Sequence, residues 1–385
     1  MPSLKQNIQS MYTDFDLLIA GAGPVGCVIA ERAATQLGWK VLMVEKRNHI
    51  AGNCFDRFHE SGLMIHQYGP HYFRTNSDNL LEYLSQFTSW IPGNYIVRSS
   101  TDGELYPFPI NLTTLSMFFG EEVTAENAQA KLDSVREMID DPKNSEEFVL
   151  SRVGKEMYEK FYLGYTLKQW EKHPKDLDKS VCGRIPVRLN HDDRYVDHKH
   201  QLTPEFGFTK MFGNMIFRDN IQVMLNADFR EVKQWAKPRI ATIYSGPVDE
   251  YFDCKLGKLP WRSLEFDFKN IKQEYYQPCV QINYPNDHEY TRTVEIKHVT
   301  AQKHPETVVS FEYSRSEGDP YYPIPAKENH ELYKKYKALA DDECLNNNVF
   351  FAGRLANYLY MNTDEAIESA LATFETLKSR YVNDK

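Results

Sequence analysis

The segment from Asp16 to Glu45 limits what this chain can fold into more than any other. Asp16-Leu17-Leu18-Ile19-Ala20 reads as a short buried strand and runs directly into Gly21-Ala22-Gly23-Pro24-Val25-Gly26. Helical patterning follows from Cys27 to Leu37, and a second apolar strand, Val41-Leu42-Met43-Val44, delivers Glu45. Strand, glycine turn, helix, strand and acid together spell a dinucleotide fingerprint. Gly21, Gly23 and Gly26 let the backbone turn tightly and approach a pyrophosphate at the helix N-terminus, and Glu45 can hold the ribose hydroxyls of an adenosine. A bare GxGxxG also occurs as a glycine turn in ordinary α/β proteins; the acid nineteen residues past Gly26 favours the dinucleotide. The fold class expected is α/β, with a doubly wound, Rossmann-like domain.

Composition narrows the function. The net charge of −9 argues against general nucleic-acid binding, which needs a basic face, but leaves room for a local cationic pocket. Six cysteines form no CxxC pair and no zinc spacing, so no metal site is expected and the cysteines read as reduced. Residues 1–10 are polar and no run nears the roughly 18 apolar residues of a membrane span. A cytoplasmic protein without an integral membrane segment is the expectation, with residues 1–13 as a loose extension. The 24 Tyr and 22 Phe fit a core or a sugar or nucleotide cleft.

Beyond the fingerprint, an amphipathic helix is expected from Asp78 to Phe87, and β-structure over 94–110 with a turn at Asp102-Gly103. Leu112 to Trp170 is mostly helical, broken near Asp141-Pro142. Residues 205–300 alternate short strands and turns, including Arg239 to Tyr244 and Val280 to Tyr284. Asn348 to Phe351 is a strand entering a glycine turn at Gly353-Arg354, and a last helix runs from Thr363 to about Arg380 with Thr363 as its N-cap.

The region after Glu45 selects among dinucleotides. Glu45-Lys46-Arg47, then Gly52-Asn53, is typical of flavoproteins that bind FAD. Further along come Gly69-Pro70-His71-Tyr72-Phe73-Arg74-Thr75, Gly164-Tyr165-Thr166-Leu167-Lys168-Gln169-Trp170, Arg184-Ile185-Pro186-Val187-Arg188, Tyr290-Thr291-Arg292, Tyr321-Tyr322-Pro323 and Gly353-Arg354-Leu355-Ala356-Asn357-Tyr358. In order and spacing, from about Asp14 to the last helix, these closely resemble the bacterial UDP-galactopyranose mutases.

The resemblance implies a redox-neutral isomerase that interconverts the pyranose and furanose forms of a UDP-sugar through a covalent adduct at N5 of reduced FAD. The product would supply furanose for surface polysaccharide. It also implies a discontinuous FAD domain over 14–90, 205–250 and 335–385, and a helical insertion over 112–190 with a mobile loop near 176–187. An antiparallel sheet domain would take 91–111, 191–204 and 251–334. Bacterial relatives imply a homodimer.

By the same resemblance Arg184 and Arg292 bind the leaving diphosphate, where a guanidinium fork suits phosphate oxygens. Tyr165 stacks on uracil with Phe161, Tyr162 and Trp170 nearby, although an aromatic stripe at this spacing also reads as core. Tyr195, Tyr321, Tyr360 and Asn283 line the sugar and phosphate site, with Tyr321 preferred over Tyr322. His71 and Arg354 sit beside the flavin, and Gly21, Gly23, Gly26, Glu45, Lys46, Gly52, Asn53 and Gly353 hold the cofactor.

Three positions depart from the family's pattern. Arg74 stands where a histidine is common, Asn362 where an acid is common, and Ala51 for a usual glycine. Arg74 and Asn362 make the pocket more positive, and Arg74 can donate to an N-acetyl carbonyl, to a phosphate, or simply pack beside the flavin. UDP-galactose and UDP-N-acetylgalactosamine are both substrates to weigh, as is another NDP-hexose. Ala51 is tolerated if its φ is negative. The rival classes are a flavin oxidoreductase of the amine-oxidase type and a non-catalytic binding protein.

Overall fold

The strand Leu17–Ala20 lies at the centre of a five-stranded sheet in a computed structural model that describes residues 14–382. The expected extension, 1–13, lies outside the described residues. The spatial order is Ile221–Met224, Val41–Val44, Leu17–Ala20, Ala241–Tyr244 and Val349–Phe351, and every neighbouring pair is parallel. Leu17–Ala20 and Val41–Val44 are apolar at every position because both faces of the sheet are covered there. Leu17 and Ile19 face one core with the helices Pro24–Gln36, Phe208–Ile216 and Thr363–Val382, while Leu18 packs with Leu42 and Val44 on the other side. Because all five strands run the same way, Gly21, Glu45, Ser245 and Gly353 emerge near one edge. That edge is where open α/β sheets bind ligands.

A second sheet has seven strands, ordered Tyr322–Pro323, Trp261–Ile271, Thr307–Arg315, Arg292–Val294, Gln281–Asn283, Val97–Thr101 and Glu104–Phe108. It is not purely antiparallel as expected, because Gln281–Asn283 pairs with Val97–Thr101 in parallel. A separate small sheet joins Phe73–Thr75, His200–Pro204 and Trp90–Pro92, and carries Arg74.

Helices Leu112–Phe119, Ala128–Val135, Ser145–Met157 and Gly164–Trp170 build the expected helical stretch, with Asp141-Pro142 in an interruption. A π-helical turn, Tyr158–Leu163, leads into the last of these. In the stretch 176–187, Leu177, Val181 and Cys182 are buried in the hydrophobic core that the helical stretch shares with the second sheet, and Ser145 Oγ donates to the Asp178 carbonyl at 2.7 Å. The same stretch contains a short helix, Ser180–Gly183, that ends at Arg184.

The C-terminal helix begins at Thr363, so its cap is Asn362 rather than Thr363 as expected. The Asn362 carbonyl accepts from Ala366, and Glu365 reaches back to the Asn362 backbone N–H at 2.6 Å, one half of a capping box. Among the described residues no helix is long and apolar enough to cross a membrane.

Candidate active site

Two adjoining sites emerge from these elements. The first is a cleft at the carboxyl edge of the parallel sheet, lined by Gly21, Gly23, Glu45, Lys46, Gly52, Asn53, His71, Gly353, Arg354 and Asn362. Gly26 permits the closest approach: a Cβ there would lie 2.0 Å from the Gly21 carbonyl oxygen. Gly52, at φ +55°, would set a Cβ 2.9 Å from Gly23 Cα. Glu45 is buried and ties the turn together, accepting from the backbone N–H of Ala22 and of Arg47, each at 2.9 Å. The helix that starts at Pro24 has no side-chain cap and no acid in its first turn, so its N-terminal N–H groups stay available to an anion.

Arg47, part of the Glu45-Lys46-Arg47 motif, and Ser245, which no motif marks, also line this cleft. Arg47 donates to Asn53 at 2.9 Å and to Asp319 at 2.8 Å; the latter contact spans 272 residues, which no local pattern signals. Ala51 has φ +72°, so the condition set for tolerating it is not met: a buried alanine occupies the left-handed region.

The second site is a basin of guanidinium groups around Tyr360. Arg184 Cζ sits 4.5 Å from the centre of the Tyr360 ring and Arg354 Cζ 5.3 Å. Burial raises the Tyr360 phenol, but Arg184, Arg354, Arg74 and Arg292 together hold it below its ordinary value. Among the described residues, one of these four guanidiniums is paired with a carboxylate. Arg292 Nε donates to the buried Glu312 at 2.7 Å. Arg354 donates to the carbonyls of Tyr321 and Met361. Arg74 donates to the Tyr72 hydroxyl at 3.0 Å and to Asn362 Oδ1 at 2.5 Å. Arg184 is exposed, and its guanidinium has no hydrogen bond or ion pair among the described residues. Such an excess of fixed cations is complementary to a diphosphate.

The two departures, Arg74 and Asn362, are thus one structural unit. Asn362 caps a helix, yet its side-chain oxygen goes to Arg74 while its amide donates to Glu365 at 2.9 Å. An arginine here needs a hydrogen-bond acceptor that is not required to be charged.

Tyr165 is half-buried; burial pushes its hydroxyl up to about 12, against the opposing charge of Arg292. The other rings expected beside it are buried in the core that the helical stretch shares with the second sheet. Phe161 meets Tyr106 edge-on, Tyr162 packs on Phe108, and Trp170 lies against Tyr322. Tyr165 is therefore the accessible ring and the three expected near it are its supports, an arrangement that fits helical spacing of aromatics. Of the two neighbours, Tyr321, the preferred one, is buried beside Tyr68 and Phe266, whereas Tyr322 stacks on Tyr360 at 5.8 Å.

Tyr195 is half-buried and edge-on to Tyr95, which stacks on Tyr72 at 4.3 Å. Asn283 pairs in register with Arg292 and accepts from Gln281 at 2.7 Å. His71 Nδ1 lies 2.9 Å from the Gly69 carbonyl, and burial drives its pKa down to about 3. The ring is neutral, its Nδ1 carries the proton that the carbonyl requires, and Nε2 is left as an acceptor.

The chain matches two family profiles: one described as UDP-galactopyranose mutase over residues 160–360, and one described as an NAD(P)-binding Rossmann-like domain over residues 19–87. It is 36% identical over 379 residues to a probable UDP-galactopyranose mutase of Klebsiella pneumoniae, covering 96% of each chain. It is 33% identical to a dTDP-fucopyranose mutase of Escherichia coli, covering 92% of this chain and 96% of that one. A crystal structure of reduced UDP-galactopyranose mutase superposes with a TM-score of 0.72 at 15% identity, covering 96% of both chains, which supports the fold. With profile, sequence relatives and architecture in agreement, this chain belongs to the UDP-galactopyranose mutase family of isomerases.

Proposed function

We propose that this protein interconverts the pyranose and furanose forms of a UDP-sugar, with reduced FAD in the cleft and the nucleotide diphosphate in the arginine basin. The observation that carries this reading is the junction of the two sites. His71, Arg354 and Asn362 line the dinucleotide cleft, while Arg354, Arg74, Arg184 and Arg292 surround Tyr360. In this reading residues 14–90, 205–250 and 335–385 hold the cofactor and the remaining segments present the substrate.

The cleft fits the flavin dinucleotide. An uncapped helix start meets its pyrophosphate, Glu45 has carboxylate lone pairs left for ribose, and Gly23, Gly52 and Gly353 keep the approach clear. When bound, reduced flavin supplies the nucleophile that holds the sugar at its anomeric carbon while the ring opens and recloses.

The chain's own residues do the rest. Arg184, whose guanidinium has no hydrogen-bond or ion-pair partner among the described residues, takes phosphate oxygens as negative charge grows on the leaving diphosphate. Arg292, held from behind by Glu312, presents its remaining N–H groups to the same anion, and Tyr322 and Tyr360 wall the site. Tyr165 offers its ring to the uracil. His71 Nε2 accepts a hydrogen bond from a flavin N–H or a sugar hydroxyl and cannot act as an acid near neutral pH.

Arg74 decides the sugar. Two neutral partners fix it without cancelling its charge, and its unused N–H groups suit a carbonyl acceptor such as a 2-acetamido group. UDP-N-acetylgalactosamine therefore joins UDP-galactose as a substrate. A dTDP-linked 6-deoxyhexose is the second reading, favoured by the relative that bears such a name. We further propose a cytoplasmic homodimer that feeds surface polysaccharide synthesis.

The test is turnover of UDP-galactofuranose, UDP-N-acetylgalactofuranose and dTDP-fucofuranose by dithionite-reduced protein, with oxidised protein as control. Conversion in the reduced state alone is expected. Arg74→His is expected to shift the preference toward UDP-galactose by about tenfold, the effect of one charged hydrogen bond. An unchanged ratio would remove Arg74 from sugar recognition.

A further inference from the structure

We propose that a small cavity behind Arg292 is a built site for one water molecule. That water ties the counterion of Arg292 to the histidine loop at the cofactor cleft. The cavity, about 10 Å³, lies between the turn that carries His66, Gly69 and Pro70 and the face of the second sheet that carries Ser310 and Glu312. That volume is about the least that holds a single water.

Three buried polar atoms belong to residues that line it and have no hydrogen-bond partner among the described residues: His66 Nε2, Ser310 Oγ and Glu312 Oε1. Ser310 and Glu312 are two apart on the strand Thr307–Arg315 and so share a face. Leaving three such groups bare would cost far more than immobilising one water.

The donors and acceptors match. The backbone N–H of His71 donates to His66 Nδ1 at 3.0 Å, so Nδ1 is unprotonated. Burial pushes the His66 imidazole down to about 4, and in the neutral ring the proton is then on Nε2, toward the cavity. A water here accepts from His66 Nε2 and donates to Glu312 Oε1 and Ser310 Oγ, three partners in all. The inward N–H disfavours a metal cation in the same place.

The consequence reaches both sites. Glu312 Oε2 receives Arg292 Nε, so fixing Oε1 fixes the plane of the carboxylate and with it the guanidinium fork. On the other side His66 holds the backbone of His71, which lines the cofactor cleft. His66, Ser310 and Glu312 are positioning residues. The functional half of this inference rests on the reading of Arg292 as a diphosphate ligand.

Two measurements test it. The first is a high-resolution crystal structure of the flavin-loaded protein. Density for one water within hydrogen-bond distance of all three atoms is expected, and a direct His66–Glu312 contact that closes the cavity would overturn the site. The second is calorimetric binding of UDP to the flavin-loaded wild type, Ser310→Val and Ser310→Thr. Valine fills the space without a hydroxyl and is expected to weaken UDP about tenfold with flavin content unchanged. Threonine keeps the hydroxyl and is expected to restore binding. Equal affinity of valine and wild type overturns the coupling. Failure of the wild type to bind UDP would instead refute the diphosphate role of Arg292, and the crystal structure would still decide the water.

Discussion

The dinucleotide cleft and the arginine basin adjoin, yet they are made of different material. The cleft is built from backbone: glycines that let two segments touch, an uncapped helix start, and an acid spent largely on main-chain N–H groups. The basin is built from side-chain heads sent in by separate elements: Arg74 from a small sheet, Arg184 from the end of a short helix, Arg292 from the second sheet, and Arg354 and Tyr360 from the turn before the last helix. A site of backbone fails when a Cβ is added. A site of heads fails when a head is removed, while the chain beneath it stands.

The largest effect expected on this account is that of Gly26→Ala. The added Cβ would lie 2.0 Å from the Gly21 oxygen and 3.1 Å from its carbon, both main-chain atoms of the strand–turn junction, so relief requires the helix to leave the sheet. We expect no soluble protein with stoichiometric flavin, read from flavin absorbance per polypeptide after purification. Full flavin loading with an unchanged Tm would break the backbone account of the cleft.

Next in size are the paired arginines, which separate chemistry from stability. Arg184→Ala and Arg292→Ala are each expected to lower turnover by roughly 10²–10³, the effect of removing a positioned charge donor, with flavin retained. Their stabilities diverge. Arg292→Ala strands the buried Glu312 and costs about 3 kcal/mol, whereas Arg184 has no acid partner and its loss leaves Tm nearly unchanged. Equal Tm losses, measured by scanning calorimetry, would mean that Glu312 is not the anchor of Arg292.

The same distinction explains what could be read from the chain. Glycine spacing and the acid at 45 report a backbone task, so the cleft and its parallel strands were legible from the first fifty residues. Single arginines were legible only through their motif surroundings. Their partners were not: Arg74 meets Asn362 across 288 residues, Glu312 lies opposite Arg292 on a neighbouring strand, and His66 enters only once the turn is folded. Each of the departures Arg74 and Asn362 stood out alone, but their pairing is a tertiary fact. Aromatic spacing could not separate Tyr165 from Phe161, Tyr162 and Trp170, because a helix that presents one ring must bury others. The choice between Tyr321 and Tyr322 had no pattern to rest on, because the strand there is only Tyr322 and Pro323.

Where the two sites meet, histidines give a smaller effect with a definite sign. His66 and His71 are held neutral by burial, down to about 4 and about 3 from an ordinary 6.5. Between pH 6.5 and about 4 the unfolded chain binds protons that the folded protein refuses, so stability falls as pH falls through that window. The limit is about 1.4 kcal/mol per pH unit for each group. His66→Gln, whose amide can accept from His71 and donate into the cavity, is expected to flatten the dependence of Tm on pH by up to one proton. An unaltered slope would mean that His66 titrates normally in the fold.

The smallest effect returns to the cleft and asks how far its backbone character goes. Ala51 sits at φ +72° and ψ −2°, its N–H donates to the Ala22 carbonyl at 2.8 Å, and its methyl is buried. Ala51→Gly would relieve about 1–2 kcal/mol of left-handed strain. It would also lose about 0.8 kcal/mol of methyl burial and add about 0.4–1 kcal/mol of unfolded-chain entropy. These nearly cancel, so the expected change is below about 1 kcal/mol, a Tm shift of at most about 4 °C, with flavin affinity within about twofold because the N–H to Ala22 persists. One methyl added at Gly26 would therefore destroy the site that one methyl removed at Ala51 barely changes. A large loss of flavin affinity in Ala51→Gly would show that this side chain, and not the path of the main chain alone, shapes the cleft.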